Sequence, residues 1–240
     1  MTDMFPTFFF RLMSNVRATC PGRLFRRTSL ATALLAFSLV ALPVLAQASA
    51  LRAFDANYHL SVDGWPDANI HHSLKREGDH WRSSMESSLA IAKGRESSQF
   101  SDNGDQLRAL GYRSDYRFLR MGKDYSLNRS QLTNRPDRQT ALVELSRLAQ
   151  EQDCQDGCEL NYVDHKGRNE DGVWRRVADI PLQVDGKRVQ APTVELRDKD
   201  KDDRYMRISF HPQIPGLLLR LDFFKDGDRV SRLRLTRLNQ

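Results

Sequence analysis

The sequence predicts a mainly β domain, a strongly curved antiparallel sheet or partly closed β-barrel with one packed α-helix. Three observations predict it. Past residue 50, apolar and polar side chains alternate with period two in segment after segment. Gly- and Asp-containing turn signals separate those segments at short spacing, and a single stretch near the middle switches to the helical period. Strands alternating with helices, the mark of a parallel α/β fold, are missing.

The first element is an export leader. Arg11, Arg17, Arg23, Arg26 and Arg27 precede an uncharged apolar run, Leu30 to Leu45, which is short for a membrane span of roughly 20 residues but suits the core of a signal peptide. Small residues follow in Ala46-Gln47-Ala48 and Ala48-Ser49-Ala50, so cleavage is expected after Ala48 or Ala50. Residues 1–48 are then the signal peptide and 51–240 a single β-rich periplasmic domain, with no transmembrane span after cleavage. An uncleaved anchor is the alternative.

Phe54, Ala56, Tyr58, Leu60 and Val62 alternate with polar residues, as in a strand with one buried face. Asp63-Gly64-Trp65-Pro66-Asp67 breaks it. The next strand puts Ile70, His72 and Leu74 on one parity, and Gly78-Asp79 turns the chain into Trp81, Ser83, Met85, Ser87, Leu89 and Ile91. A two-residue turn fixes the register, so Arg76 faces Trp81 and His72 faces Met85. Further strands are expected at Glu96–Phe100, Leu107–Tyr116 and around Tyr125–Leu127.

One segment reads as a helix. Asp137 can cap Thr140 to Ala149, in which Leu142, Leu145, Leu148 and Ala149 fall on one stripe that should pack against the sheet. Strands return at Leu160–Asp164, Gly172–Asp179, Thr193–Arg197, Tyr205–Phe210, Leu217–Phe224 and Arg229–Leu238, the last two joined by Asp226-Gly227.

Composition bounds function. At 40% hydrophobic and 28% charged, the chain is neither membrane-embedded nor disordered. Its formal charge of +6 sits largely in the leader; the mature remainder holds 32 basic and 30 acidic side chains, about +2, which gives no basis for nucleic-acid binding. Cys154 and Cys158 alone survive cleavage, and in an oxidising compartment a pair this close is most simply a disulfide, with Gly157 supplying the backbone freedom of a tight loop.

Candidate chemistry is sparse. His71 should lie opposite Glu86, and an even register in the preceding hairpin would add His59, giving two imidazoles and a carboxylate suited to zinc. No fourth ligand is evident, and an exposed His/Glu row is ordinarily just solvated. His72, on the apolar parity, reads as a hydrogen-bonded core histidine. Asp198-Lys199-Asp200-Lys201-Asp202-Asp203 starts like a calcium loop but has Asp203 where Gly is required and Ser209 where a bidentate Glu is required, so a charged hairpin loop is the better account. No nucleophile elbow or zinc-protease spacing is present, so the expectation is no enzyme and no cofactor. Arg229, Arg232, Arg234 and Arg237 share one strand, with Arg220 and Arg207 as candidate neighbours. They could meet anionic headgroups, but Leu233 and Leu235 alternate with them as on an ordinary wet-sided strand.

Phe54-Asp55-Ala56-Asn57-Tyr58, Pro136-Asp137-Arg138-Gln139-Thr140-Ala141-Leu142 and Phe223-Phe224-Lys225-Asp226-Gly227 resemble the bacterial periplasmic domains of unknown function grouped as DUF3108. The resemblance spans nearly all of the mature chain and implies an exported β-rich domain without an assigned activity. It carries over no catalytic residue. On architecture alone, the chain is also similar to curved half-barrels that carry lipoproteins or lipids. In such a clam, Tyr58, Leu60, Trp81, Met85, Leu89 and Leu145 would line an acyl cavity; otherwise they simply fill a core. The expected function is a non-enzymatic periplasmic binding or envelope-maintenance protein, whose partner would be an envelope lipid or another envelope protein. The alternatives are a carrier of a hydrophobic ligand and an envelope hydrolase.

Overall fold

The computed structural model describes residues 50–89, 92–119 and 121–239. The leader expected at 1–48, and the strand positions Ala90 and Ile91, lie outside the described residues.

Alternating side chains become twelve strands: β1 (Phe54–Val62), β2 (Trp65–Glu77), β3 (His80–Ser88), β4 (Ala92–Asp102), β5 (Leu107–Phe118), β6 (Met121–Asn128), β7 (Cys158–Val163), β8 (Asn169–Val184), β9 (Lys187–Asp198), β10 (Lys201–Phe210), β11 (Leu218–Lys225) and β12 (Asp228–Asn239). A 3-10 turn at Arg129–Leu132 and helix α1 (Arg138–Glu151) stand between β6 and β7. All strands join one antiparallel sheet in the order β6-β5-β4-β3-β2-β1-β12-β11-β10-β9-β8-β7. The chain therefore begins at the middle of the sheet, winds outward to one edge, crosses through α1 to the opposite edge, and winds back until β12 lies beside β1.

The expected β2–β3 register holds: Arg76 faces Trp81, His72 faces Met85 and His71 faces Glu86. Asp226 and Gly227 have φ of +51° and +89°, and Asp185 and Gly186 have +48° and +77°. Those paired positive values are what a primed hairpin turn requires and what Asp-Gly supplies with little strain. The second of these turns splits the region from Asn169 to Asp198 into two long strands, β8 and β9, which the sequence expectation made much shorter.

The helix forms where expected. Asp137 caps it by accepting from Gln139 N (2.9 Å) and Thr140 N (3.1 Å). It is buried almost all round, because the curved sheet wraps it. Ala141, Leu142 and Leu145 face Leu160, Leu196, Met206, Ile208 and Leu221. Full burial of each leucine here contributes about 1.5–3 kcal/mol. Ser146 Oγ accepts from Gly216 N (2.6 Å), and Gln150 donates to the His211 carbonyl (2.9 Å), so the loop between β10 and β11 is tied to the far side of the helix.

Hydrogen-bonded pairing leaves β6 and β7 as the two edges, so the ladder is open. The sheet curls enough for the edges to meet through side chains: Ala109, Tyr112, Leu127, Leu132 and Val163 form a second small core. Tyr125 of β6 packs edge-on against His165, just past β7, at 4.9 Å. Pro136 covers part of the β7 edge by accepting from Val163 N (2.9 Å).

Candidate functional site

Two charged constellations stand out, one beneath the helix entry and one on the outside of the sheet. Beneath the helix, Asp137 accepts from Ser98 Oγ (2.6 Å) and Thr140 Oγ1 (2.8 Å) besides its capping bonds. Burial pushes its carboxyl upward, and these bonds oppose the push. Arg138, 2% exposed, donates through Nε to Glu96 (3.0 Å) and makes an ion pair with it, while the Tyr116 hydroxyl donates to Glu96 and accepts from Arg138. Burial pulls Arg138 down to about 9, still charged at neutral pH.

Around the sheet seam, burial and the neighbouring Asp164 charge raise Glu170 to about 7. Burial and Arg138 lower His165 to about 4. Burial disfavours ionised Asp164, yet Arg168 and the backbone N–H groups of Arg168 and Lys166 hold it below its ordinary value. Arg138 is paired with Glu96 and Arg168 with Asp164, and Asp137 fixes the helix entry.

The zinc reading does not assemble. His71 lies opposite Glu86, but its other neighbour is Asn57, not His59. His59 instead faces Asn69 and pairs with Asp67 (3.1 Å), His71 pairs with Asp55 (2.9 Å), and Glu86 pairs with Arg95 (2.9 Å). The irregular first hairpin set the register two residues away from the one zinc would need. Among the described residues no group of three or more metal-type ligands comes together.

All six histidines of the chain are placed. His72, His165 and His211 are buried, while His59, His71 and His80 are partly exposed and beside carboxylates. His72 bonds Ser83 Oγ at 3.1 Å, and burial lowers it to about 3, so it is a neutral core histidine as its parity implied. Ser83 is itself 1% exposed, which leaves no room for a substrate at that pair.

The helix covers a cavity of about 20 Å³, room for one water molecule. Of the side chains read as cavity lining, Leu145 touches it. Tyr58 and Met85 are buried elsewhere in the core, Leu60 and Trp81 pack partly buried against it, and Leu89 sits half-buried just beyond β3.

On the outer face of β8 to β12, one row runs Arg175–Glu195–Arg207–Asp222–Arg232 across successive strands. Glu195 accepts from Arg175 (2.6 Å) and Arg207 (2.7 Å), and Asp222 accepts from Arg220 (2.6 Å) and Arg232 (2.6 Å). Both carboxylates are buried under the guanidinium groups. Burial opposes ionisation of Glu195, but its bonds to Arg207 and Arg175 prevail and hold it low. A second row places Arg197, Tyr205, Phe224 and Arg229 side by side. The two rings stack at 4.6 Å, with Arg197 over Tyr205 at 4.3 Å.

No family model matches the chain, and no curated protein matches it. Among solved structures it is similar to the crystal structure of MucB, at 14% identity and a TM-score of 0.37, over 80% of this chain and 54% of that one. It is also similar to the crystal structure of MucB in complex with MucA(peri), at 13% identity and a TM-score of 0.36, over 78% of this chain and 49% of that one. The chain spans about half the length of these structures. The fold therefore rests on the chain's own strands and helix.

The outer face gathers positive charge: Arg175, Arg197, Arg207, Arg220, Arg229 and Arg232 share the two carboxylates Glu195 and Asp222, and Arg234 and Arg237 stand beside them on β12. Arg220 lies opposite Arg234 of β12 as expected, whereas Arg207 is one strand further away, on β10 and separated from Arg232 by Asp222 of β11; Leu233 faces the core as the strand parity required. What sequence reading missed is that Arg175 and Arg197 join them and that Glu195 and Asp222 organise them. The alternation of Thr193, Glu195 and Arg197 held that signal. The expected disulfide is present, Cys154 to Cys158 with Cα atoms 6.1 Å apart, and Gly157 has φ of +103° with room for no Cβ beside Val173 (2.9 Å). The calcium-like stretch is the β9–β10 turn, where Lys201 pairs with Asp198 (3.3 Å). Among the described residues no helix is long and apolar enough to cross a membrane.

Proposed function

We propose that this chain is exported to the bacterial periplasm and works there as a non-enzymatic binding or envelope-maintenance domain, related to the DUF3108 proteins, that meets its partner with the outside of its sheet. The outer arginine array carries the reading. Inside, Arg138 is paired with Glu96 and Arg168 with Asp164, and the cavity by the helix holds about one water, whereas outside the arginines outnumber the two carboxylates they surround. The apolar leader ending in small residues and the Cys154–Cys158 bond support the periplasmic address. The motif residues of the family resemblance fall in β1, at the entry of α1 and in the β11–β12 hairpin, which is where a structural signature belongs.

Native mass spectrometry of protein recovered from the periplasm tests this. The expected species is the bare polypeptide starting after Ala48 or Ala50, two hydrogens light for the disulfide. A co-purifying lipid would move the assignment to the carrier, and an uncleaved cytosolic product would overturn the address.

A further inference from the structure

We infer that the outer face of β8 to β12 docks an acidic, extended protein segment, with carboxylates on the segment meeting the arginine row and an apolar side chain resting on the Tyr205–Phe224 stack. This rests on the binding role proposed above and names the partner chemistry and the surface.

Charge, fixed geometry and composition all favour it. The arginines around Glu195 and Asp222 outnumber those two carboxylates, while the nearby Asp171 and Asp203 are paired with Arg135 and Arg204, so this part of the face is net positive; its guanidinium groups are partly exposed, with side-chain exposure of 53% for Arg175, 42% for Arg207 and 46% for Arg229. Glu195 and Asp222 hold these forks in place from below, so the array is arranged before a partner arrives and little side-chain entropy remains to be lost. Arg175, Arg207 and Arg232 sit on every second strand of one row, so at a strand spacing of about 4.8 Å they repeat at roughly 9.6 Å. A polyproline-type extended chain brings every third side chain to one face at about 9.3 Å, which matches that repeat. Arginine with stacked aromatic rings is also the residue mixture that dominates protein–protein hot spots. A lipid leaflet needs only loosely held basic groups, and a sheet face without a concavity does not enclose a small anion.

The test uses the full mature chain and a fluorescein-labelled peptide of six Glu-Pro-Pro repeats, read by fluorescence anisotropy at low salt. The expected result is saturable binding that weakens at least threefold in Arg175→Gln, a member of the row whose partner Glu195 keeps Arg207, and at least tenfold in the triple variant Arg197→Gln, Arg229→Gln, Arg234→Gln, which removes the arginines flanking the row on the same face, and also in Tyr205→Ala. The control Arg95→Gln, Arg108→Gln, Arg117→Gln, which removes three exposed arginines from the other half of the sheet, should change affinity less than twofold. The first triple leaves the short bonds to Glu195 and Asp222 in place, so circular dichroism should show it folded. A peptide of the same composition with its glutamates clustered at one end should bind more weakly than the repeat. Equal losses in both triple variants would overturn the surface assignment, as would capture of phosphatidylglycerol vesicles without capture of the peptide. If the mass measurement reveals a lipid cargo, the binding role fails whatever the peptide does; if the mass is bare and the peptide ignores the arginine variants, this surface alone fails.

Discussion

The two halves of the sheet hold their best-organised buried ion pairs on opposite sides. In β1 to β6 the inner face buries His72, Ser83, Glu96, Ser98 and Ser114. In β8 to β12 the inner face beside the helix is Trp174, Leu196, Met206, Ile208, Leu221 and Leu233, with Glu170 and Asp198 buried only at its end near the seam, and the buried carboxylates Glu195 and Asp222 lie on the outer face under arginines. One helix therefore has two kinds of contact. Asp137, Arg138 and Thr140 bond into the first half, and Arg147 reaches Asp102 there (2.6 Å), while Ala141, Leu142 and Leu145 pack into the second. Ion pairing positions the helix against one half and apolar burial holds it to the other, which leaves the second half's polar capacity free to face outward.

The comparison can be broken most strongly on its ionic side. Arg138→Ala strands Glu96 in the interior and should cost about 3–5 kcal/mol in urea denaturation, whereas replacing the pair together, Arg138→Met with Glu96→Leu, should recover most of that. On the apolar side, Leu145→Ala, at a fully buried position beside the existing cavity, should cost about 3 kcal/mol. If the double replacement stays as unstable as Arg138→Ala, the polar contact does more than compensate its own burial. Removing the disulfide with Cys154→Ser and Cys158→Ser opens only a small loop and should lower stability by about 2 kcal/mol, read as a shifted denaturation midpoint.

The smallest effect is at the seam between the halves. Glu170, raised to about 7 in the folded chain from 4.5, holds a proton between those values that the unfolded chain has released, so its contribution to stability falls as pH climbs through that window. Glu170→Gln should therefore be about 1 kcal/mol more stable than the parent at pH 8, with the difference vanishing at pH 4. His72 acts in the opposite sense. Lowered from 6.5 to about 3, it takes up a proton on unfolding, so stability is lost as pH falls below 6.5; the slope of stability against pH should flatten in His72→Gln, provided the variant folds.

Strand identity, the β2–β3 register, the helix and the disulfide were legible because each is written locally: period two, a two-residue turn, a capping Asp before a leucine stripe, two cysteines around a glycine. The seam and the arginine array were not. Glu195 and Asp222 look like ordinary wet-face acids until β9, β10, β11 and β12 are laid side by side, since their partners come from other strands. The pairing of Arg138 with Glu96 spans 42 residues and depends on how far the sheet curls. The zinc reading failed for the same reason in reverse: the first turn is only Asp63-Gly64, and the register is shifted by an irregularity between Leu60 and Val62 that no local turn signal announces.

The meeting of β1 with β12 has a consequence for how the molecule comes into being. Asp55 aligns with Asn239, so β1 waits for β12, about 180 residues later in the chain, before its second flank is covered. Until β12 is in place, both halves expose a raw ribbon border to other chains. Clipping β12 from the finished protein would open the sheet between β1 and β11, leaving α1 and the seam to hold the two meanders, and recreate that sticky state.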